Sequence, residues 1–503
     1  MEERKTHRLI HNWLSTIGAF IAGLSALVIL FFLILAILSE KINPYIGILI
    51  YLVLPVFLIL GLLVVPAGMF IEWRKRQRTG VITYQRWPDI DLNDRRHRNA
   101  AMIFLVCTLL FTLISAVGIY QAYHYTESVR FCGLTCHTVM KPEYTAYQES
   151  PHARVKCVNC HIGPGAGWYA KSKLSGLYQV YAVLANIYPR PIPTPIANLR
   201  PAQETCETCH WPRAFFGAKQ KQFVHYRYDK SNSPWPIDML IRIGGGSPRT
   251  SLTAGIHWHM NIAVKVEYIS RDSRRQDIPW IRVTERATGQ VTVYQDRENP
   301  LEQKEIAGTA ARIMDCMDCH NRPSHDYKSP DYAVDLALLT EQIDAGLPEV
   351  KKTAVQAMTG KYGSDSEAMK GIAKQITDFY RLNYPHIAEQ KNLQISEAVL
   401  AVQNAYKQNI FPFMKAEWSD YPNDIGHFTF RGCMRCHDGK HASSSGRVIR
   451  NDCRTCHVII AQGPEMSREK ILAETGLEFR HPVDIGDAWK EGHCYECHTG
   501  EQP

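Results

Sequence analysis

Fourteen of the fifteen cysteines stand in seven pairs, and a histidine follows each pair at once. Six pairs read Cys-x-x-Cys-His: Cys157/Cys160/His161, Cys206/Cys209/His210, Cys316/Cys319/His320, Cys433/Cys436/His437, Cys453/Cys456/His457 and Cys494/Cys497/His498. The seventh, Cys132/Cys136/His137, has one more residue between its cysteines. Two thiols at this spacing, followed by an imidazole, are the attachment signature of c-type haem. The thiols add to the haem vinyl groups, and the adjacent histidine takes the iron from one side. Disulfides and zinc sites also use Cys-x-x-Cys, but neither explains a histidine after every pair. The pattern predicts seven covalently bound haem c groups. The odd cysteine, Cys107, lies in an apolar run and reads as a small packing residue.

Electron-carrying haems usually take a second axial ligand from elsewhere in the chain. Beyond the basic loop near the start there are eleven histidines outside the motifs: His124, His152, His225, His257, His259, His325, His386, His427, His441, His481 and His493. A lone histidine is usually a surface residue, but seven irons need partners and several of these sit close to a motif. On that ground His152, His325, His427, His441 and His481 are the leading candidates. One ligand is expected from the pair His257/His259, and His257 is the choice. His225, His386 and His493 rank lower.

These motifs must be carried by something that reaches an oxidising compartment, because covalent haem is attached outside the cytoplasm. Three uncharged apolar runs, Thr16 to Leu38, Ile46 to Ile71 and Ala100 to Tyr123, are each long enough to cross a bilayer as a helix. Pro55 and Pro66 are expected to kink the second. The first is too long for the apolar part of a signal peptide and lacks a small-x-small cleavage site, so it reads as uncleaved. Arg4, Lys5 and Arg8 precede it. Arg74, Lys75, Arg76, Arg78, Arg86, Arg95, Arg96 and Arg98 lie between the second and third runs, whereas the first turn, Ser39–Asn43, is followed only by the short stretch to the second run and carries Lys41 alone nearby. Basic residues stay on the cytoplasmic side. The head and the long loop are therefore read as cytoplasmic, and everything after Tyr123 as periplasmic, across a bacterial inner membrane.

The 503 residues carry a formal charge of +8. Twelve of the 57 basic and seven of the 49 acidic residues lie before residue 125, leaving 45 against 42, or +3, for the remainder. Seven haems would add two propionates each, which makes that part acidic and removes any argument for nucleic-acid binding from the basic pI.

The first motif starts nine residues after the third run, so its haem is expected at the membrane surface. Between the second and third motifs, Leu174, Leu177, Tyr178, Tyr181, Leu184 and Tyr188 recur at helical spacing, with Trp168 and Tyr169 at the start and Lys171 and Lys173 alongside. This predicts an amphipathic helix over Trp168 to Tyr188, suited to a membrane surface or to packing on the haem core. Pro189, Pro191, Pro193 and Pro195 predict an extended connector. Asn261–Ile269 and Ile281–Tyr294 are rich in β-branched residues, and Ala287-Thr288-Gly289 predicts the turn of a hairpin joining Ile281–Glu285 to Gln290–Gln295. Ser364 and Glu367 form a capping box ahead of a helix over Ala368–Leu382, and Ser396–Asn409 predicts another.

The division expected is a cytoplasmic head with two spans and a basic loop (1–99), a third span (100–124), a module with three motifs (125–215), a β-rich segment (216–300), a fourth-motif segment (301–330), a helical insertion (331–415) and a module with the last three motifs (416–503). The fold class expected is a membrane-anchored multihaem cytochrome c. It has three transmembrane α-helices and a haem-packed, mainly α and irregular periplasmic domain with a small β-rich insertion.

Cys132-Gly133-Leu134-Thr135-Cys136-His137-Thr138-Val139-Met140-Lys141-Pro142, then Glu149-Ser150-Pro151-His152-Ala153 before Cys157, resembles the NapC/NirT/NrfH family of quinol-oxidising tetrahaem cytochromes. The likeness covers roughly residues 100–210. That family has one anchor helix and about four haems, so two spans and three haems stand outside it. The resemblance implies menaquinol oxidation at the first haem, with Met140 as an iron ligand after the motif. The spacing here is His-x-x-Met rather than the family's His-x-Met. It also implies a lysine near the quinol, matched by Lys171 or Lys173, and a carboxylate whose position holds Gln179. The family's acidic residue is therefore missing.

The reading of function that follows is a quinol dehydrogenase feeding the electrons of the menaquinone pool to periplasmic c-type cytochromes. Its partners include the lipid bilayer, with room for a homo-oligomer or a complex with other membrane proteins. The alternatives are a terminal reductase of a nitrogen or sulfur oxyanion, against which no motif ends in lysine, and a passive membrane-anchored electron wire.

Overall fold

The computed structural model describes residues 12–38, 54–78, 91–135, 137–163, 166–196, 200–211, 217–244, 255–471 and 476–501. It divides into two units, Met1–His137 and Thr138–Pro503.

The first unit is helical: α1 (Trp13–Leu38), α2 (Leu54–Arg78) and α3 (Arg95–Thr126). Long runs of Leu, Ile, Val and Phe take this form in lipid because a helix satisfies its own backbone polar groups. Among the described residues, Trp13–Phe32 and Leu54–Lys75 are the two stretches long and apolar enough to cross a membrane. The third expected span lies within α3, several of whose side chains fall outside the described residues. The turn Ser39–Asn43 and the stretch with Arg86 fall outside them too. Pro66 sits inside α2.

Small residues let α1 and α2 approach closely. A Cβ on Gly18 would lie 2.8 Å from the Gly61 carbonyl oxygen, and one on Gly61 would lie 2.6 Å from the Ala22 nitrogen. Ser15 is fully buried between them, and its hydroxyl donates to the Val65 carbonyl at 2.9 Å. Close backbone approach and interhelical hydrogen bonds are what hold helices together where no hydrophobic drive exists. The faces turned outward carry exposed Phe20, Leu24, Leu27, Phe57 and Leu63.

The second unit contains α4 (His137–Gln148, whose first residue belongs to the other unit), α5 (Ala166–Leu184), α6 (Pro330–Leu339), α7 (Val350–Met358), α8 (Asp365–Asn383) and α9 (Asn392–Asn409). Its strands are β1 (Ala218–Tyr226), β2 (Pro234–Arg242), β3 (Val264–Ile269), β4 (Trp280–Glu285), β5 (Val291–Asp296), β6 (Arg312–Ile313), β7 (His441–Ser443), β8 (His457–Gln462) and β9 (Glu469–Lys470). They form two sheets, ordered β1-β2-β8-β9 and β6-β3-β4-β5-β7, and every pairing is antiparallel. The expected β4–β5 hairpin forms, and Gly289 takes the left-handed conformation (φ 72°) that its turn requires. The β-rich part is not a self-contained insertion. β7 and β8 come from the segment with the last three motifs and zip both sheets to it.

Helices α6 to α9 enclose a core in which Val334, Leu347, Ala354, Met358, Ile372, Ile376, Tyr380 and Val402 are wholly buried. Each such aliphatic side chain stabilises the fold by about 1.5–3 kcal/mol relative to exposure. Ser364 caps α8 by accepting from the Glu367 N–H at 3.2 Å. The Glu367 carboxylate reaches back one residue further than expected, to the Gly363 N–H at 2.8 Å. Lys351 on α7 is buried between Asp331 and Asp335 of α6, at 2.8 and 2.7 Å, with its ammonium also over the Tyr228 ring.

Candidate haem centres

Among the described residues, four of the motifs close as one tight turn. The backbone N–H groups of His210, His320, His437 and His498 donate to the carbonyl of the first cysteine of their own motif at 2.8, 2.8, 3.0 and 2.8 Å. This closure, of helical type, gathers two thiols and one imidazole on a single turn.

Six motif histidines each face a second histidine from elsewhere in the chain. The ring centres are 6.2 Å apart for His161 and His325, 6.0 Å for His210 and His152, and 6.2 Å for His320 and His257. They are 5.8 Å apart for His437 and His259, 6.0 Å for His457 and His427, and 6.0 Å for His498 and His481. These rings are too far apart to bond to each other. An imidazole–metal bond is about 2 Å long, so two imidazoles gripping one metal from opposite sides stand about 6 Å apart between ring centres. The donor set and its spacing fit iron held by two histidines.

The second rings are oriented for that task. Nδ1 of His152 donates to the Pro323 carbonyl at 3.2 Å, that of His257 to Ile243 at 3.0 Å, and that of His259 to Ile256 at 3.0 Å. His325 donates likewise to Glu143 at 3.0 Å and His481 to Val483 at 2.7 Å. A proton fixed on Nδ1 leaves the Nε2 lone pair for a metal. Burial lowers the pKa of His161, His257, His320, His325, His427, His437, His457 and His498, and takes His259 down to about 4. Neutral imidazole is the form that binds metal.

Two expectations change. His441 does not face a motif histidine. Its Nδ1 is 2.9 Å from an Asp438 carboxylate oxygen, its Nε2 is 2.7 Å from the Ile278 carbonyl, and the ring is buried. Burial pushes its pKa down, but the bond to Asp438 outweighs this and the pKa is raised. With both nitrogens committed to acceptors, it has no lone pair to give. The residue that sequence reasoning passed over is His259. His257 and His259 lie on one 3-10 turn, Ile256–Met260, where residues two apart point to different sides. One turn therefore serves two motifs. The signal was present in the His-Trp-His spacing itself.

His225 lies 3.3 Å from Asp335 and stacks on Phe428, while His493 stacks on Tyr495. Cys136 and the His137 side chain fall outside the described residues. Met140 is half-buried on α4.

On α5, Leu174, Leu177, Tyr178, Tyr181 and Leu184 are all exposed. Steps of about 100° place them in one stripe, with Lys171 and Lys173 at its two borders and Gln179 beyond the Lys171 border. Lys171 is exposed, with its ammonium 5.2 Å from the Trp168 ring centre. The helix ends at Leu184, short of Tyr188, which turns inward against the Tyr327, Phe411 and Trp418 cluster.

The paired sites are neighbours in chain order. Cys160 feels the charge of Cys209, and the Cys206 and Cys316 thiols are within hydrogen-bond reach. Cys319 lies near enough to Cys436, Cys433 to Cys456 and Cys453 to Cys494 to help raise the pKa of the second thiol of each pair. The residues between the cysteines brace this file. Buried Asp318, inside the fourth motif, accepts from Tyr268 at 2.7 Å and from Arg275 and Arg312 at 2.8 Å each. Arg435, inside the fifth, donates to the Asp318 carbonyl at 2.6 Å and pairs with Asp424 at 3.0 Å. Glu143 and Arg322 flank His325: the Glu143 carboxylate is 3.2 Å from its Nδ1, and the Arg322 guanidinium lies over the Tyr327 and Tyr421 rings.

Residues 95–191 match the family model for the NapC/NirT cytochrome c family, N-terminal region. The chain is 45% identical over 502 residues to the cytochrome c-type protein ImcH of Geobacter sulfurreducens, covering 99% of this chain and 97% of that protein. It is 30% identical over 117 residues to the cytochrome c-type protein NrfH of Wolinella succinogenes, covering 21% of this chain and 66% of that one. No solved structure is significantly similar. With its apolar N-terminal helices and its file of haem motifs, the chain belongs to the ImcH family of membrane-anchored multihaem c-type cytochromes, electron-transport proteins whose N-terminal region is of the NapC/NirT type.

Proposed function

We propose that this cytochrome takes electrons from menaquinol in the bacterial inner membrane and passes them to periplasmic c-type cytochromes, acting as a quinol dehydrogenase. The observation that carries the reading is the file of six imidazole pairs in sequence order. Covalent haem at each pair supplies a one-electron carrier. The motif cysteines tether it. His325, His152, His257, His259, His427 and His481 hold the second face of the irons bound by His161, His210, His320, His437, His457 and His498. The widened motif Cys132/Cys136/His137 holds a seventh, with Met140 as its second ligand.

The entry end is read from α5. Its exposed apolar stripe suits the membrane surface, and lysines at both borders let ammonium groups reach the polar layer while their stems stay in the apolar one. Lys171 and Lys173 donate hydrogen bonds to a quinol oxygen. Gln179 can donate or accept a hydrogen bond but takes up no proton at neutral pH, so the two protons of quinol leave by another group or by water. The cytoplasmic head and loop, and the periplasmic position of the motifs, follow from the distribution of Arg and Lys. A terminal reductase needs an open metal position, and six of the seven sites have an imidazole on each side.

Anaerobic mixing of the purified protein with a menaquinol analogue tests the reading. Haem reduction is expected. Replacing both Lys171 and Lys173 with Ala should slow it about tenfold or more, the worth of hydrogen bonds from charged donors, and leave dithionite reduction unchanged. Equal rates in the variant place the quinol site elsewhere. No reduction of the unaltered protein by any quinol leaves the passive wire.

A further inference from the structure

The last pair of the file, His481 and His498, lies on a segment that presents both apolar and acidic side chains to solvent. The loop that supplies His481 folds back on itself, the ring donating to the Val483 carbonyl at 2.7 Å. The same loop then presents Val483 and Ile485, which are 51% and 41% exposed. Cys497, one of the two thiols of this motif, is exposed as well. Exposed apolar side chains on the loop of one histidine and an exposed thiol in the motif of the other would leave a haem held by this pair close to solvent.

The charge along the same segment is net acidic. Glu478, Asp484, Asp487, Glu491 and Glu496 are exposed, against Arg480 and Lys490. Five acids and two bases leave −3 over residues 478–496. Both cations are already engaged: Arg480 pairs with Glu469, and Lys490 with Glu478 and Asp487. Asp484, Glu491 and Glu496 have no ion pair among the described residues. Arg431, over the Tyr495 ring at 6.0 Å, lines one cavity with Glu491 and Glu496, together with Arg435 and Lys440, which pair with Asp424 and Glu298. Exposed apolar side chains among net acidic charge are the pattern of a transient docking face, where charge steers encounter and the low area keeps release fast.

We propose that the surface formed by residues 478–497 docks a small, soluble, lysine-rich c-type cytochrome, and that electrons leave the chain there. The occupant follows from charge complementarity: carboxylates without cations fit a ring of ammonium groups around a partner's exposed haem edge. The proposal deepens the reading that periplasmic cytochromes accept the electrons, and rests on it.

The test uses the full-length holoprotein in detergent, with a basic and an acidic small cytochrome c as probes. Binding is measured by surface plasmon resonance at low and moderate ionic strength. The double reversal D484K/E491K leaves every motif residue and His481 in place. The expected result is salt-sensitive binding of the basic probe only, weakened at least tenfold by the reversal at low salt, and a matching fall in the rate at which the dithionite-reduced chain reduces that probe. Reduction of ferricyanide, an anion, should become faster in the same variant, which shows that the file is intact. Equal affinity for both probes, or a basic-probe affinity unmoved by the reversal, overturns the proposal. If the reduced chain still donates to the basic cytochrome at an unchanged rate, the exit lies elsewhere while the wider reading stands. If it donates to neither cytochrome, both fall.

Discussion

The helices α6 to α9 and the motif-bearing segments of the same unit are stabilised in opposite ways. The helical part buries a contiguous core of aliphatic and tyrosine side chains and contains no haem motif. Among the described residues, the last motif module takes part in small apolar clusters, such as that of Ile459 on β8 with Trp235 and Ile237 on β2, and much of its backbone is turn. Its order comes from buried polar braces such as Arg435, which grips the Asp318 carbonyl of the fourth motif, and from imidazole pairs that a metal can bridge. The first region can fold on burial of its own side chains. The second is short of apolar surface, and the cofactors themselves complete it.

The largest effect follows from withholding haem. Expressed without haem maturation, the chain should keep slow amide exchange in Val350–Met358 and Ala368–Tyr380 while residues 432–498 exchange near the unfolded rate. Protection in the latter without haem would dissolve the contrast. Next, Lys351→Met should destabilise the helical part by about 3–5 kcal/mol, because it strands Asp331 and Asp335 as buried carboxylates. Calorimetry on the holoprotein should show the helical transition lowered and haem spectra unchanged. Ile372→Ala should cost about 2–5 kcal/mol in the same transition, by leaving a cavity at a wholly buried site.

A finer contrast separates two histidines. His259→Ala should open one iron and add one high-spin signal in electron paramagnetic resonance. His441→Ala should add none, and should instead loosen the β5–β7 edge by removing the partner of Asp438 and Ile278. A new high-spin signal from His441→Ala would restore it as a ligand. The smallest effect is expected from Glu143→Gln. Removing the carboxylate beside His325 should raise the potential of that haem modestly, without changing its spin state.

This contrast also explains what the sequence made legible. Motifs declare themselves because attachment chemistry is local: two thiols and an imidazole must lie on one turn. The first two spans and the β4–β5 hairpin are local as well. Choosing candidates by closeness in sequence found histidines that face a motif histidine, but not which one. His152 lies five residues before Cys157 yet faces His210, His325 lies five after His320 yet faces His161, and His427 lies six before Cys433 yet faces His457. The rule failed outright at His441, where Gly439 in the left-handed conformation turns the chain and seats the ring against Asp438. Pairings across long stretches of chain are set by the tertiary fold, and one sequence carries no local trace of them. The reach of β7 and β8 into the two sheets was hidden for the same reason.

The proposed arrangement places six irons, each between two imidazoles. Near-infrared magnetic circular dichroism of the fully oxidised protein distinguishes bis-histidine haem from histidine–methionine haem and from five-coordinate haem. Quantified against total haem, it should report six bis-histidine sites and one further site of different ligation. A count below six, or bis-histidine bands matched by a substantial high-spin fraction, would contradict the pairing of His161, His210, His320, His437, His457 and His498 with the histidines that face them.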